Sequence, residues 1–146
     1  MTDTPSATPP GTQPDPDRTS FLHDAMPFAV AIGVEALGAP DGEVHARVAW
    51  DERRCTSGGV LHGGLLMALA DTCGGACAFL NLPDGAVGTT TIESKTNFFR
   101  AVHEGHVRAA ARPLHTGRTT VVIVTDLFDD RDRLVARVTQ TQAVLT

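Results

Sequence analysis

The sequence predicts an α+β protein in which an antiparallel sheet curls around one long buried helix. Residues 61–82 are apolar on almost every side over a helical length, which is typical of a helix surrounded by protein. Two strand-like runs precede this segment, and four longer runs separated by short turns follow it. Because strands joined by short turns pair antiparallel, we expect the six runs to form one sheet that covers the helix.

The first residues of the chain differ in composition from the rest. Residues 1–20 hold five of the nine prolines and hardly any apolar side chains, so they cannot offset the entropy lost on ordering. We therefore expect a disordered, proline-rich tail over 1–20 and a single folded domain over 21–146. The domain should begin with a short helical segment over 21–32, which Pro27 interrupts.

The strands are predicted from alternation and from turn residues. Alternating apolar and polar residues over 43–50 indicate a strand with one buried face. Turn residues at 39–42 separate the first two strands, and Pro83-Asp84-Gly85 ends the helix. The last four strands are expected to form a meander of hairpins, with turns at 101–105, 116–117 and 129–132. The six predicted strands are 33–37, 43–50, 88–100, 105–115, 118–129 and 134–145.

Composition and charge argue against several classes of protein. The net charge of -5 argues against nucleic acid as the main partner. No apolar run reaches the roughly 20 residues that a membrane span needs. The odd number of cysteines, three, and the lack of a secretory leader in residues 1–20 predict a cytoplasmic location. Cys73 and Cys77 stand one helical turn apart, but with no second ligand pair nearby we expect two buried thiols and no metal site.

Asp71 stands alone in the apolar helix. It is the single Asp, Glu, Lys or Arg between Arg54 and Asp84. Burying an unpaired carboxylate costs several kcal/mol, so a sequence selected for stability alone would place Ala or Leu there. The functional interpretation is a catalytic base or nucleophile. The structural alternatives are a carboxylate bonded to a backbone or threonine partner, or one that faces solvent.

His62-Gly63-Gly64 begins the same helix. The first N–H groups of a helix have no intrahelical partner, and glycines let a carbonyl oxygen approach them, as an oxyanion hole requires. A plain glycine-rich helix start is the alternative interpretation. Gly63 and Asp71 are eight residues apart, or about 12 Å along the helix. One carbonyl cannot touch both in the same helix, so their cooperation requires antiparallel helices of a dimer.

The motif formed by these residues is that of a known family. His62-Gly63-Gly64 followed by Leu69-Ala70-Asp71 resembles the HGG-x(4)-LAD signature of hotdog-fold acyl-CoA thioesterases of the phenylacetate-pathway type. The resemblance covers about 26–146. It implies a six-stranded sheet wrapped around a long helix, dimers with a continuous sheet, and dimers paired into tetramers.

The resemblance also implies roles for individual residues. Asp71 would activate water or attack the thioester directly, the Gly63 amide of the partner chain would polarise the carbonyl, and His62 would shape the helix start. Thr56 stands near where the family often has an asparagine that positions water. One or more of three threonines on the strand after the helix would assist: Thr89, Thr90 and Thr91. Further candidates for binding the substrate, including the CoA phosphates, are Gly64, Asn97, Arg100, Arg118 and Thr119.

The predicted function is the hydrolysis of acyl-CoA thioesters to a free acid and CoA. No cofactor or metal is expected, since the motifs of serine hydrolases, zinc proteases, P-loop proteins and dinucleotide-binding proteins are absent from the sequence. Two alternatives stay open: a non-catalytic acyl-CoA-binding module on the same fold, and a dehydratase or hydratase of acyl thioesters. Aromatic and medium-chain aliphatic acyl groups are both compatible with the sequence.

Overall fold

The computed structural model describes residues 5–146 and confirms the predicted architecture. Six antiparallel strands form one sheet in the order β1-β2-β4-β5-β6-β3, and the long helix α3 lies against its concave face. Each predicted strand and the predicted long helix is present, with bounds that differ by a few residues. The elements are α1 Pro16–Ala25, α2 Pro27–Ala31, β1 Glu35–Leu37, β2 Val44–Ala49, α3 Gly63–Leu80, β3 Gly88–Phe98, β4 His106–Thr116, β5 Thr120–Phe128 and β6 Leu134–Leu145.

Helix α3 is the core of the domain. Its buried side, which includes Leu66, Leu69, Ala70 and Cys73, packs against the inward residues of β2 to β6. Within residues 5–146 it is also the one helix long and apolar enough to cross a membrane, but half of its residues are buried inside the chain. Its position against the sheet is that of a core helix.

The start of the domain differs from the prediction. Residues 16–20, assigned to the tail, form the first half of α1, because Pro16 sits at the helix start and Asp15 accepts a hydrogen bond from Arg18 N at 3.0 Å. Met26 precedes Pro27 and adopts an extended conformation, so the segment predicted over 21–32 is divided into two helices at the expected interruption. Residues 1–4 of the predicted tail lie outside the described residues.

Residues 5–14 lie across the convex face of the sheet, and we call this segment the N-terminal strap. Its backbone oxygens accept from buried or half-buried arginines, among them Arg108 to Pro10 O and Arg47 to Thr12 O at 3.1 Å. Its Ala7 N–H donates to the buried Asp126 at 2.8 Å. The strap therefore supplies partners to charged groups on the side of the sheet that faces away from α3.

The predicted hairpin between β3 and β4 is wrong. β3 pairs with β6 along its whole length and forms an edge of the sheet, while β4 pairs with β2 and β5. The turn at 101–105 is bonded to two segments that precede α3. Leu61 N donates to Val102 O at 2.9 Å, and Trp50 N donates to Gly105 O at 2.7 Å. These bonds carry the chain across the end of the sheet, so β4 enters beside β2.

Candidate active site

The start of α3 presents one free backbone donor. The His62 ring caps the helix, with Nδ1 accepting from Gly64 N at 2.8 Å. That bond occupies the Gly64 amide, whereas the Gly63 amide has no acceptor within residues 5–146. The Gly63 N–H is thus the donor available to an incoming carbonyl oxygen at the positive end of the helix dipole.

Gly63 is a glycine because an aromatic ring lies against it. A Cβ added at Gly63 would stand 3.1 Å from the ring of Phe98, at the end of β3. That distance is tighter than most Cβ contacts, so a side chain at position 63 would have to push the ring aside. The Phe98 ring therefore forms one wall beside the free amide.

Asp71 lies on the exposed face of α3. This face continues from the helix start through Gly64, Ala68 and Gly75, which are three or four residues apart and share one side of the helix. Asp71 itself is exposed, and within residues 5–146 its side chain has one hydrogen-bond partner, Gln140 Nε2 at 3.2 Å. The carboxylate therefore faces the exterior, as one structural alternative predicts, and its partner is a glutamine rather than the backbone or a threonine.

Gln140 is the site residue that sequence analysis missed. It is fully buried on β6, and its side chain crosses to α3 beside Gly74. The signal was present in the alternation of β6, where Val138, Gln140, Gln142 and Val144 share the inward face of a strand. Two glutamines in an otherwise apolar inward row need hydrogen-bond partners, and each of them has at least one.

The three candidate threonines of β3 divide between the two faces of the sheet. Thr91 accepts from Gln142 Nε2 at 2.8 Å, and Thr89 donates to Gln142 Oε1 at 3.2 Å, so both point inward. Thr90 pairs with Ala143 and points to the convex side. Within residues 5–146 none of the three bonds Asp71. Thr91 lies opposite Gln142 and Thr89 opposite Val144, whereas Ser94 lies opposite Gln140, the residue that bonds Asp71.

The candidate phosphate-binding residues lie at opposite ends of the sheet. Thr119 O accepts from Val144 N at 2.9 Å, so Arg118 and Thr119 lie near the end of β6. Arg100 donates to Leu134 O at 3.0 Å, at the start of the same strand. The seven residue steps from Ala136 to Ala143 on β6 span about 24 Å, which separates the two groups within one chain.

Two further candidates stand apart from Asp71. Asn97 pairs with Arg137, and this register position faces away from α3. Thr56 lies before the short turn Ser57–Gly59, and its side chain makes no hydrogen bond within residues 5–146. Neither residue supplies a group to the Asp71 carboxylate in this chain.

An open cleft adjoins the start of α3. It measures about 300 Å³ and combines apolar side chains with two arginines and the His62 ring. Gly64 and Ala68 contribute to both the cleft and the exposed face that carries Asp71. The cleft is lined by Phe28, Ile32, Arg53, Arg54, Cys55, His62, Gly64, Leu65 and Ala68.

The cysteines of α3 are inert thiols. Burial raises the pKa of Cys73 far above its ordinary value. Burial, aided by the charge of Glu43, raises the pKa of Cys77 to about 12. Across residues 5–146 no group of three or more His, Cys, Asp or Glu side chains could hold a metal ion. The two thiols behave as small apolar core residues.

Comparison with known proteins identifies relatives over most of the chain. Residues 58–136 match the thioesterase superfamily. The chain is 35% identical over 104 residues to the proofreading thioesterase EntH of Cronobacter turicensis, covering 70% of this chain and 74% of that protein. It is 31% identical over 105 residues to the 1,4-dihydroxy-2-naphthoyl-CoA hydrolase of Escherichia coli, covering 72% and 76%. A solved thioesterase of Haemophilus influenzae superposes with a TM-score of 0.81 at 25% identity, covering 96% of each chain.

Proposed function

The chain belongs to the thioesterase superfamily of hotdog-fold proteins, and on that premise we propose that it hydrolyses acyl-CoA thioesters to a free acid and CoA. Thioester hydrolysis follows from the family, whereas the CoA carrier is our proposal. It is supported by a relative named as the hydrolase of a naphthoyl-CoA. The observation that carries the proposal is the presence, on one helix, of a Gly63 amide that has no acceptor within residues 5–146 and of an exposed carboxylate at Asp71.

The spacing of these two groups supports a dimer with shared sites. About 12 Å of helix separates Gly63 from Asp71, while the reacting carbonyl must lie within about 3 Å of its donor and close to the attacking water. One helix therefore cannot supply both groups to one substrate. We propose that each site combines the Gly63 amide of one chain with the Asp71 carboxylate of its partner.

Two exposed surfaces favour such a dimer. β3 is an edge strand of 11 residues, and a strand edge of this length leaves its outer backbone groups available for pairing. The adjoining face of α3 exposes Met67 and Phe79, at 42% and 52% of their surface. We propose that a second copy pairs at β3 and packs against α3, giving a continuous sheet and two sites. Pairing of such dimers would then give the expected tetramer.

Antiparallel pairing at β3 would also bring the candidate phosphate-binding residues of two chains close together. In such a pair the start of β3 in one chain lies beside the end of β3 in the other. Arg118 and Thr119 lie near the start of β3, and Arg100 follows its end. We propose that the CoA phosphates bind where Arg118 and Thr119 of one chain meet Arg100 of the other, since guanidinium groups bind phosphates well.

The proposed reaction needs no metal. Asp71 accepts a proton from a water whose oxygen attacks the thioester carbon, while the carbonyl oxygen takes the developing negative charge and accepts from Gly63 N–H. The tetrahedral intermediate collapses, the carbon–sulfur bond breaks, and the proton held by Asp71 passes to the CoA thiolate. In the alternative route Asp71 attacks the carbon itself and the carbon–sulfur bond breaks, which releases the CoA thiolate and leaves an anhydride. Water then hydrolyses the anhydride to the free acid and the Asp71 carboxylate, and a proton from this water passes to the thiolate. Since the His62 ring is engaged as a helix cap, it is a poor candidate for the acid–base residue of a dehydratase.

We propose a cytoplasmic location for this reaction. All three cysteines are free thiols, and Cys73 and Cys77 lie a single turn apart in α3 without forming a disulfide. Free thiols in this arrangement suit a reducing compartment.

The direct test is a panel of aryl, aliphatic and hydroxyacyl-CoA thioesters incubated with the full chain, with release of CoA thiol followed by a chromogenic reagent. We expect turnover, and aryl-CoA substrates are the first choice because the cleft beside His62 is lined by Phe28 and aliphatic side chains. Binding of acyl-CoA without turnover on any member would overturn the hydrolase proposal and establish the binding module instead. Formation or loss of an enoyl product would establish the dehydratase alternative.

A further inference from the structure

We propose that Gln140 is a positioning residue for hydrolysis, which fixes the direction of the Asp71 carboxylate by donating to one of its oxygens. The inference rests on the proposed function, and it adds a residue from β6 that the HGG…LAD motif does not contain. Three observations support it: the hydrogen bond itself, the glycine that makes room for the glutamine, and the cost of burying an amide at this position.

The hydrogen bond joins a buried donor to an exposed acceptor. Gln140 is fully buried, and its Nε2 lies 3.2 Å from Asp71 Oδ1. Asp71 is exposed and has no other hydrogen-bond partner within residues 5–146. The donated bond restrains a side chain that would otherwise rotate freely, and it leaves Oδ2 available for the proton of a water. Holding a catalytic group in one orientation is a recognised source of rate acceleration.

Gly74 provides the space for this amide. A Cβ added at Gly74 would lie 2.1 Å from Gln140 Oε1 and 2.6 Å from Cδ, distances that no side chain tolerates without a shift. At the neighbouring Gly75 an added Cβ meets nothing within 4 Å. Gly74 stands three residues after Asp71, so the glycine and the carboxylate face the same amide from consecutive turns. Contact with Gln140 therefore explains why position 74 is a glycine, whereas no such contact is found at Gly75.

Burying this amide is unfavourable for stability alone. Gln140 Oε1 is buried and has no hydrogen-bond donor within residues 5–146. An unsatisfied buried acceptor costs about 1–3 kcal/mol, and Val138 on the same inward row shows that an apolar residue fits this face of β6. A polar residue that reduces stability and directs its donor at the candidate base is typical of a functional site.

Thr56, the residue expected to position water, makes no side-chain hydrogen bond within residues 5–146. The amide that contacts the Asp71 carboxylate comes from β6.

The test compares steady-state kcat and KM of Gln140→Met, Gly74→Ala and Gly38→Ala, made singly in the full chain. Methionine keeps the length of glutamine without its donor, and alanine at position 74 displaces the amide while improving helix propensity. We expect kcat to fall about 10- to 100-fold in Gln140→Met and Gly74→Ala, because a hydrogen bond to a charged group is lost, with KM within about two-fold. Gly38→Ala, the matched control, should keep the wild-type kcat, because Gly38 is exposed outside α3 and an added Cβ there meets nothing within 4 Å.

A double-mutant cycle separates positioning from general damage. If Gln140 acts through Asp71, Gln140→Met should change the residual kcat of Asp71→Asn by less than about two-fold. An equal loss in both backgrounds, or a Gln140→Met kcat within two-fold of wild type, would overturn the inference. If Gln140→Met and Gly74→Ala keep the wild-type kcat while Asp71→Asn loses it, the inference fails but the proposed function stands. A wild-type chain without turnover on any thioester overturns the function and the inference together.

Discussion

Replacing Gly63 by proline removes the proposed oxyanion donor with little change to the backbone. Position 63 is the first residue of α3, where proline is well tolerated, and its N–H has no acceptor within residues 5–146. The preceding His62 already has φ -62° and ψ 132°, the extended conformation that a following proline requires. Gly63→Ala is the matched control, because it directs the same Cβ at Phe98 but keeps the N–H.

The size of the effect follows from the proposed sharing of sites. Loss of one oxyanion-hole donor should lower kcat about 10²- to 10³-fold in Gly63→Pro homodimers. When Gly63→Pro chains are mixed equally with Asp71→Asn chains, half of the dimers are mixed, and each mixed dimer has one site with both groups intact. Activity should therefore recover to about a quarter of the wild-type value per chain, which is at least about 25-fold above either parent.

The assay is CoA release before and after subunit exchange, with exchange confirmed by native mass spectrometry of differently tagged chains. Gly63→Ala should retain more activity than Gly63→Pro, and its mixture with Asp71→Asn should show little additional recovery beyond its own activity. Verified mixed dimers with no recovery would refute the sharing of sites, since the Gly63 amide and Asp71 would then have to act from the same chain.

The remaining predictions concern thiols, charge and the strap. At pH 8, a thiol reagent should modify Cys55 alone in the native protein, because burial holds the pKa of Cys73 and Cys77 well above that pH; mass spectrometry showing modified Cys73 in folded protein would contradict this. Burial raises the pKa of Asp129, but hydrogen bonds from Arg133 and from Arg131 N together outweigh burial and hold that pKa below its ordinary value of 3.8. A lowered pKa means that this stabilisation is complete above the ordinary pKa and is lost as pH falls through the folded value. Asp129→Asn should therefore lower the free energy of unfolding by about 1.5–3 kcal/mol at pH 7, and by less below pH 3.8, in urea titrations; an equal effect at both pH values would contradict the assignment. Deleting residues 1–13 should cost about 1–3 kcal/mol, because Arg108 and Asp126 lose strap partners, yet leave kcat/KM within about two-fold, because the strap lies on the face away from α3. A large loss of kcat/KM on this deletion would place the strap in the site.

The long helix and the six strands could be predicted because they depend on local patterns. Residues 61–82 are apolar around the whole helix, and the strands alternate or are bounded by turn residues, so both periods are visible in the sequence. The pairing of β3 could not be predicted in this way. The turn at 101–105 has hairpin length, but the bonds from Leu61 and Trp50 that redirect it come from residues more than 40 positions away along the chain.

The part of the candidate site that lies in one helix could be predicted from the sequence. His62, Gly63 and Asp71 share α3, so their spacing alone predicts a separation of about 12 Å. Gln140 lies 69 residues from Asp71, and only the packing of β6 against α3 joins them. Gly74 is a sequence signal for this contact, since a glycine within a helix indicates the close approach of another group. The sequence does not say that the approaching group is the Gln140 side chain.

The most direct test of the account is the rate of CoA release by wild type, Asp71→Asn and Asp84→Asn on the best acyl-CoA of the panel. Asp84 is an exposed carboxylate in the loop after α3, so Asp84→Asn controls for the change of charge. If the Asp71 carboxylate takes part in thioester hydrolysis, kcat/KM should fall at least about 10²-fold in Asp71→Asn, and Asp84→Asn should keep the wild-type turnover. Turnover by folded Asp71→Asn at the wild-type rate would contradict it, because the carboxylate on α3 would then take no part in thioester hydrolysis.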